Sequence, residues 1–449
     1  MYGFGRLSAI PLAMGVPVPR QRLARWRDTC LASLIDHAYR NVPFVGASLR
    51  SVGLDPRAIR GVKDLSFLPT TSKADLQEAG IAQVLARNVR ADRLLDRSTS
   101  GSTGERTVVK RTWFEERLLN AFRRRALRAY GLMPNERLAV LSFHRREDPR
   151  DDQTLLRLAQ RAGLFRKRVF DALGDPLVVH AVASFQPHVV AGMTSVIARV
   201  ADEASSSMHA IRPRFVVTGG ELLTEPLRAR VAALGAPIYD IYGCNEVNIV
   251  AWQCPNGGDG YHVCDDAHLV EVLGADGTAV PVGGWGEVVV TSLFSYAMPF
   301  VRFRLGDLAV RGPDECACGA PYSTLLAVQG RTIDCFPLGD GTSLHPWEIL
   351  NPIKPHMAWV KQFQLVQCSP DDIELRVVPR RTPAPDELES MAAAARGGLA
   401  GRARFAVKLV PAIESGAAGK SRPFVPFAAH ALASAALQSA APGANASAK

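Results

Sequence analysis

The segment from Arg97 to Lys110, RSTSGSTGERTVVK, combines residue types that could hold an anion. Gly101 and Gly104 leave the backbone free to bend, and the residues around them offer hydroxyl groups: Ser98, Thr99, Ser100, Ser102 and Thr103. Amides and hydroxyls exposed in such a loop can surround a nucleotide phosphate. The segment is not a Walker loop, which needs Gly-Lys-Ser/Thr opening a helix, because Glu105 follows Gly104 and residues 107–112 alternate as a strand. By itself, a run of Ser, Gly and Thr is more often a flexible turn.

Four short motifs follow in order along the chain, each at or near the end of a predicted strand. They are GGE (Gly219–Glu221), YGCNE (Tyr242–Glu246), FRLGD (Phe303–Asp307) and GRTID (Gly330–Asp334). Taken singly, each has an ordinary reading: a carboxylate that starts a helix, a core tyrosine, an aspartate in a turn. As an ordered set they favour a functional site.

Together with STSGSTGE, these motifs resemble those of the acyl-adenylate-forming ligases. The segment Gly192–Ala201 (GMTSVIARVA), a cysteine cluster and the short chain make the phenylacetate-CoA ligase-like branch the nearest resemblance. The resemblance runs from about Asp96 to Arg422 and is strongest between Val190 and Asp334. It implies an AMP-forming acyl ligase that makes acyl-AMP from a carboxylic acid and ATP and then passes the acyl group to a thiol.

The resemblance also implies a role for each motif. Ser98 to Gly104 would close over the β- and γ-phosphates, Glu246 would hold Mg²⁺, and Asn245 would donate to the α-phosphate. Tyr242 and Gly243 would contact adenine, and Asp307 would accept from the ribose hydroxyls with help from Arg331. The remaining residues of the purine slot would be Gly219, Gly220 and Glu221.

The sequence departs from the superfamily pattern in two motifs. Asn245 stands where a threonine is usual, although an amide can still donate, and Gly104 is followed by Glu105-Arg106 where Lys-Pro is common. Arg106 or Lys110 could supply the charge that this second change removes.

A small C-terminal unit would carry the last catalytic group. Its loop ESGAAGKSRPF (Glu414–Phe424) resembles the one whose lysine reaches the α-phosphate, which makes Lys420 the candidate. The superfamily rotates this unit between half-reactions about a hinge that falls here on Asp334, next to Ile333 where an acidic residue is common. Rotation would withdraw Lys420 and admit the thiol, expected to be coenzyme A.

The cysteines predict a second kind of site. Cys254 and His262 flank the turn-rich PNGGDGY, and Cys316 and Cys318 return later in the chain. Three thiolates and an imidazole match a closed, structural zinc site, with Cys264 as an alternative ligand. The alternative is a set of unpaired buried thiols.

The hydrophobic pattern predicts an α/β protein with two domains and a tail. Apolar runs at 138–143, 188–193, 214–220 and 236–243 read as buried strands, and 113–130, 195–204 and 225–235 as helices. We expect a large N-terminal domain of mixed or parallel sheets packed with helices (1–329). A small mobile α+β domain (330–427) and an Ala-rich disordered tail (428–449) would follow. Arg123, Arg124 and Arg125 read as a solvated helix face.

The amino-acid composition adds few further constraints on the function of the protein. Of 449 residues, 47% are hydrophobic and 21% charged, and 53 basic against 43 acidic residues give +10. The interrupted N-terminus fits neither a signal peptide nor a membrane span, so a cytoplasmic location is expected. We expect no membrane or nucleic-acid partner, a monomer or homodimer, and an aryl or other small carboxylic acid as substrate.

Two alternatives remain open at this point. One is an adenylating enzyme that forms an amide or loads a carrier-protein thiol. The other is a catalytically silent nucleotide-binding or interaction protein, which Asn245 and Ile333 keep in consideration. His144, Arg145 and Arg146 could meet a polar or anionic acid, or could be plain surface charge.

Overall fold

The computed structural model of the chain describes residues 18–98, 108–142, 154–171, 177–206, 210–257, 260–331, 334–413 and 422–427. These residues fall into two compact units. One contains the chain up to Leu223 and from Val231 to Gly330, and the other contains Thr224–Arg230 and the chain from Arg331 onward.

The helices of the first unit come before and between its strands. They are α1 (Arg20–Asn41), α2 (Pro43–Ser51), α3 (Lys73–Ala79), α4 (Ile81–Val84), α5 (Trp113–Ala129), α6 (Thr154–Arg161), α7 (Val178–Phe185) and α8 (Thr194–Ser206). A further helix, α9 (Glu225–Val231), lies between β6 and β7 in the chain.

One large sheet organises the first unit. Among the described residues it has eleven strands, in the order β10-β11-β12-β13-β9-β8-β7-β6-β5-β3-β4. The strands are β3 (Leu138–Ser142), β4 (Lys167–Asp171), β5 (Val189–Met193), β6 (Phe215–Gly219), β7 (Ile238–Cys244), β8 (Asn248–Gln253), β9 (Tyr261–Val263), β10 (His268–Leu273), β11 (Trp285–Ser292), β12 (Phe303–Arg311) and β13 (Thr324–Arg331). A separate two-stranded ribbon joins β1 (Leu95–Ser98) and β2 (Val108–Arg111).

The strands β3 to β7 form the parallel part of the sheet. The sequences of β3, β5, β6 and β7 are short apolar runs, as is typical where helices cover both faces of a parallel sheet, whereas β4 is mostly polar and exposed. The four runs that predict buried strands correspond to β3, β5, β6 and β7, and the helical patterns correspond to α5, α8 and α9. The α/β class is therefore confirmed. From β7 to β8 the pairing becomes antiparallel, so the sheet is mixed.

Helices α1 and α5 pack against a common aromatic core. In α1, Leu31, Leu34 and Ile35 recur at helical spacing and are fully buried. Phe122 of α5 stacks on Phe294 with ring centroids 5.8 Å apart. None of the described helices is long and apolar enough to cross a membrane.

The second unit contains a four-stranded sheet in the order β18-β17-β16-β19 among the described strands. Its elements are β14 (Phe336–Pro337), β15 (Ser343–Leu344), α10 (Pro346–Ile353), β16 (Val360–Ser369), β17 (Asp372–Pro379), α11 (Pro385–Leu399), β18 (Arg404–Leu409) and β19 (Phe424–Val425). Strands β16 and β17 pair antiparallel as a hairpin. The tail at 428–449 lies outside the described residues, and the domain limits at 329 and 427 stay predictions.

Candidate active site

The carboxyl ends of β5, β6 and β7 lie at one edge of the sheet, because these strands run parallel. Gly219 ends β6 and is followed by Gly220 and Glu221, while Tyr242 and Gly243 lie near the end of β7. Ligands in open α/β sheets bind at this edge. The GGE and YGCNE motifs of the sequence therefore meet at a place where a nucleotide could bind.

Tyr242 and Asp307, which are 65 positions apart, are in direct contact. The Tyr242 hydroxyl donates to Asp307 Oδ2 over 2.8 Å, and the tyrosine side chain is buried. Asp307 lies in β12, directly after Gly306, whose φ of 72° suits glycine. The residues predicted to contact adenine and ribose thus form one pair.

Cys244 places a third predicted residue beside this pair. Burial, and then the negative charge of Glu246, raises the pKa of the Cys244 thiol well above its ordinary value, and Asp307 adds to the effect. The thiol therefore stays protonated, and the negative charges of Glu246 and Asp307 both favour that form.

Glu221, which was predicted to line the purine slot, also makes a hydrogen bond to the backbone of a neighbouring helix. Its carboxylate accepts from the backbone N–H of Ser195 over 2.8 Å, in the first turn of α8. A carboxylate at a helix N-terminus is stabilised by the unpaired amides there. Glu221 therefore ties the end of β6 to the start of α8.

The turn that carries Asn245 and Glu246 is held by Arg111 of β2. The Arg111 guanidinium donates to the backbone carbonyls of Asn245 and Glu246, over 3.0 Å to the latter. Gly243 is required beside the turn, since a Cβ there would lie 2.2 Å from the carbonyl oxygen of Asn248. Glu246 is 9% exposed as a residue, and its carboxylate has no hydrogen-bond partner among the described residues.

Part of the predicted site lies outside the described residues. Ser98 is the last residue of β1 and pairs with Val108 of β2, so the two strands flank the predicted phosphate loop. Residues 99–107, Ile333, Lys420 and residues 144–146 lie outside the description. Arg331, at the end of β13, and Asp334 belong to the second unit.

The predicted zinc ligands come together. One ligand atom from each of Cys254, His262, Cys316 and Cys318 lies within 4.8 Å of the others. The Sγ atoms of Cys316 and Cys254 are 3.9 Å apart, and Cys318 Sγ is 3.3 Å from His262 Nε2. Such spacings suit tetrahedral coordination with metal bonds of about 2.0–2.3 Å.

The imidazole in this cluster is in the form that binds metal. Burial, and then the charge of Arg125, lowers the pKa of His262 to about 4. Neutral imidazole is the metal-binding form. The alternative ligand Cys264 is not in the cluster: it is buried against Arg125 and Asp266.

The prediction of a solvated arginine face is wrong for Arg125. Arg123 and Arg124 are exposed, but Arg125 is buried, paired with Asp266, and in contact with the rings of Trp252 and Tyr322. It follows Phe122 by three positions, so the apolar stripe of α5 continues through it. This helical spacing is the feature of the sequence that could have predicted the burial of Arg125.

Sequence reasoning missed the residues that hold the Asn245–Glu246 turn. Arg111 contacts the turn although it is 135 positions away from Glu246 in the chain. Its partner Glu116 lies in the first turn of α5. Only the capping box of α5, Thr112 with Glu115, could be found from spacing.

A separate cavity of about 450 Å³ lies beside α1. Its lining includes Leu23 and Arg27 of α1 with Val270 and Glu271 of β10. None of the predicted site residues lines it.

Comparisons with known proteins show what the chain is similar to. No protein-family profile matches the chain. The phenylacetate-coenzyme A ligase of Thermus thermophilus is 28% identical over 388 residues, which cover 80% of this chain and 82% of that protein. The enzyme of the same name from Pseudomonas putida is 28% identical over 340 residues, or 70% of this chain and 72% of that protein.

Solved structures show the same fold. A 2-hydroxyisobutyryl-CoA ligase in the postadenylation state, in complex with R3-HIB-AMP, superposes with a TM-score of 0.76 at 20% identity, covering 96% of this chain and 94% of its own. An anthranilate CoA ligase in complex with anthranoyl-AMP gives 0.54 at 19% identity, over 79% of this chain and 70% of that one. The resemblance predicted from the motifs is thus confirmed: the chain is similar to phenylacetate-CoA ligases and has the fold of the adenylate-forming ligases.

Proposed function

We propose that the protein is an AMP-forming acyl-CoA ligase. The observation that carries the proposal is the Tyr242–Asp307 hydrogen bond beside Glu246 at the carboxyl ends of parallel strands, in a chain similar to phenylacetate-CoA ligases. An adenosine fits this arrangement because the tyrosine offers a ring face and the aspartate offers two acceptors for ribose hydroxyls.

The first half-reaction would form the acyl adenylate. A carboxylate oxygen of the acid attacks the α-phosphorus of ATP, the bond to the bridging oxygen breaks, and pyrophosphate leaves. Negative charge develops on phosphate oxygens, so donors must be placed there. The Asn245 amide, the loop from Ser98 to Gly104 and Lys420 are the proposed donors, and Gly219–Glu221 with Arg331 complete the proposed set of nucleotide-binding residues.

Glu246 is suited to hold Mg²⁺. Its carboxylate is nearly buried and is without a hydrogen-bond partner among the described residues, which leaves both oxygens available. When bound, Mg²⁺ would neutralise charge on the phosphates and the leaving pyrophosphate. The role of this chain is to hold one hard oxygen ligand in place.

The second half-reaction would transfer the acyl group to a thiol. Sulfur attacks the acyl carbonyl, the thiol proton is released, and AMP leaves. Coenzyme A is the proposed thiol, because the relatives are named as CoA ligases and a solved 2-hydroxyisobutyryl-CoA ligase contains both an acyl-AMP and CoA. Asp334 is proposed as the hinge that separates the two half-reactions.

The acid is proposed to be an aryl or other small carboxylic acid. The relatives are named for phenylacetate, 2-hydroxyisobutyrate and anthranilate, which are small acids of different chemistry. We further propose that the protein works in the cytoplasm, where its cysteines stay reduced, as a monomer or homodimer.

Zinc is proposed as a structural ion at Cys254, His262, Cys316 and Cys318. The fit rests on three sulfurs and one nitrogen within 4.8 Å of one another. With four protein ligands the ion would have no open position for substrate, so it would brace the loops that carry its ligands.

The test is Mg²⁺-dependent ATP–pyrophosphate exchange across aryl, aliphatic and amino acids. Exchange should require a particular acid and should fall by roughly 10²–10³-fold in Glu246→Ala and in Lys420→Ala, the usual cost of removing a group that stabilises developing charge. Glu203→Ala is the control and should keep wild-type exchange, because the Glu203 side chain on α8 is 44% exposed and pairs along its own helix with Arg199.

The acceptor of the acyl group is identified by adding coenzyme A, an amine or a carrier-protein thiol to the same reaction and detecting the acylated product. Thioester with coenzyme A supports the proposal, whereas product only with an amine or a carrier protein would favour the alternative adenylating enzyme. ATP binding without exchange for any acid would favour the silent nucleotide-binding protein.

A further inference from the structure

A buried group of three charged residues joins strands β1 and β2 to helix α5. Glu116 of α5 accepts from Arg111 over 3.0 Å through Oε2 and from Arg97 over 3.0 Å through Oε1. The side chains of Arg97, Arg111 and Glu116 are 9%, 5% and 9% exposed. The group is therefore a buried ion triad, which we call the Glu116 triad.

The Glu116 triad holds the turn that carries Asn245 and Glu246. One nitrogen of Arg111 donates to the carbonyl oxygens of both residues, while its other terminal nitrogen is bound to Glu116. The planar guanidinium thus fixes the turn relative to α5. A carboxylate that binds a metal needs its backbone held in this way, because the geometry of metal ligands depends on the groups behind them.

A second contact holds the other end of the turn. Asn120, one helical turn after Glu116, donates to Glu116 Oε1 over 3.0 Å. Its oxygen accepts from the side chain of Asn248 over 3.3 Å. Asn248 has a φ of 71°, a left-handed conformation that asparagine adopts more readily than most residues. Both ends of the turn are therefore fixed by the same face of α5.

The Glu116 triad also joins the two strands of the β1–β2 ribbon. Arg97 lies on β1, directly before Ser98, and Arg111 lies on β2. The two strands pair antiparallel and flank the loop. One glutamate thus connects the strands on both sides of the loop to the turn that carries Glu246.

The charge balance keeps Glu116 ionised. Burial alone would raise the pKa of Glu116, but the charges of Arg111 and Arg97 outweigh it and lower the pKa to about 2. Breaking a buried pair by removing one partner leaves an uncompensated charge and is strongly destabilising. Test substitutions must therefore keep the charge.

We propose that Arg111, held by Glu116, is a positioning residue that sets the Asn245–Glu246 turn for Mg²⁺–ATP. The inference rests on the proposed function and adds to it a residue outside the motifs. Arg111 does not touch the reacting atoms; it acts through the backbone of Glu246.

The variant that tests the inference is Arg111→Lys. Lysine keeps the charge but has a single nitrogen in place of the fork, so it cannot serve both Glu116 and the two carbonyls with the same geometry. The matched control is Arg302→Lys. Arg302 is similarly buried, pairs bidentately with Glu271, and donates to the Leu68 carbonyl over 2.6 Å. Within the described part of the chain, these contacts do not include the Asn245–Glu246 turn.

The measurement is the affinity for α,β-methylene-ATP with and without Mg²⁺, by calorimetry, alongside the melting temperature. We expect Mg²⁺ to raise the affinity of the wild type for the analogue, and we call the ratio of the affinities with and without Mg²⁺ the Mg²⁺ gain. This ratio should shrink about tenfold in Arg111→Lys, as the loss of one charge-assisted contact implies. Affinity without Mg²⁺ should fall by a clearly smaller factor, because without the metal the turn contributes only the Asn245 amide, a single neutral donor. In the exchange assay the concentration of Mg²⁺ needed for half-maximal rate should rise by a factor similar to the loss of the Mg²⁺ gain.

Arg302→Lys should lower the melting temperature as Arg111→Lys does, while keeping the Mg²⁺ gain. An unchanged Mg²⁺ gain in Arg111→Lys, or an equal loss in Arg302→Lys, would overturn the inference and assign Arg111 to stability alone. Either of those results would leave the pyrophosphate exchange of the wild type, and with it the proposed function, unaffected. A wild type that neither exchanges pyrophosphate nor binds the analogue would overturn the proposed function itself, and the inference with it.

Discussion

At the residue scale, the proposed nucleotide site depends on the contact between Tyr242 and Asp307. We expect Tyr242→Phe to keep the ring face and to lose the 2.8 Å hydrogen bond that orients Asp307. A hydrogen bond to a charged group is worth about 1.5–3 kcal/mol, and only the part of it that orients Asp307 bears on ATP, so KM for ATP should rise roughly fivefold with little change in kcat. Steady-state exchange kinetics measure both constants.

Asp307→Asn gives the comparison for this prediction. The amide keeps one acceptor and replaces the other by a donor, so it should raise KM for ATP further than Tyr242→Phe does. An unchanged KM in both variants would mean that neither side chain meets the ribose.

His268 makes the stability of the first unit depend on pH. It is fully buried at the start of β10, and burial lowers its pKa to about 4, an effect that Asp266 offsets only in part. In the unfolded chain the imidazole titrates near its ordinary pKa of 6.5. Between these two pKa values the unfolded state binds more protons than the folded state. The contribution of His268 to the free energy of unfolding is therefore fully present above pH 6.5 and is lost as the pH falls toward 4.

Chemical unfolding at a series of pH values measures this effect. The free energy of unfolding should fall by up to about 1.4 kcal/mol per pH unit for this histidine. His268→Leu should flatten that slope, and His180→Leu, at an exposed position on α7, should not. Equal slopes in wild type and His268→Leu would contradict the assignment.

At the element scale, α5 explains what the sequence could and could not predict about the site. Its bounds were within reach because Thr112 and Glu115 form a capping box and the apolar residues recur at helical spacing. Its contacts were not, because Glu116 looks like an ordinary surface charge in a sequence, and the spacing of Arg125 after Phe122 indicates burial but names no partner. Their partners, Arg111 and Asp266, are set by tertiary packing that no local pattern records.

The loops that carry the zinc ligands are the element whose stability should depend on metal. We expect about one zinc per chain by atomic emission, as a site with four protein ligands implies. Cys316→Ser should lose that zinc and lower the melting temperature by roughly 5–10 °C, because a structural zinc contributes several kcal/mol and each shifts the midpoint by about 2–4 °C in a unit of this size.

Cys368→Ser is the control for this prediction, since Cys368 lies on β16 in the second unit. It should keep both zinc and melting temperature. Purified protein without zinc, and a melting temperature unaffected by Cys316→Ser, would favour unpaired thiols.

At the scale of the whole molecule, the parallel strands were the most predictable part of the fold. β3, β5, β6 and β7 are covered on both faces, so each reads as a continuous apolar run. The antiparallel strands β8 to β13 could not be ordered in advance. Their neighbours in the sheet, such as β13 beside β9, are distant in the chain, and pairing of that kind is fixed by packing.

The two-unit organisation gives the last prediction, which concerns Asp334. If the second half-reaction needs rotation of the C-terminal unit about this residue, Asp334→Pro should block it, since proline locks φ near about −65°. Pyrophosphate exchange should stay within about threefold of wild type, while thioester formation should fall at least about a hundredfold, the scale of losing a correctly positioned catalytic arrangement. Asp334→Ala, which leaves φ free, is the control and should keep both activities. Parallel loss of exchange and thioester formation in the proline variant would mean that residue 334 supports the adenylation geometry, and equal retention of both would place the hinge at another residue.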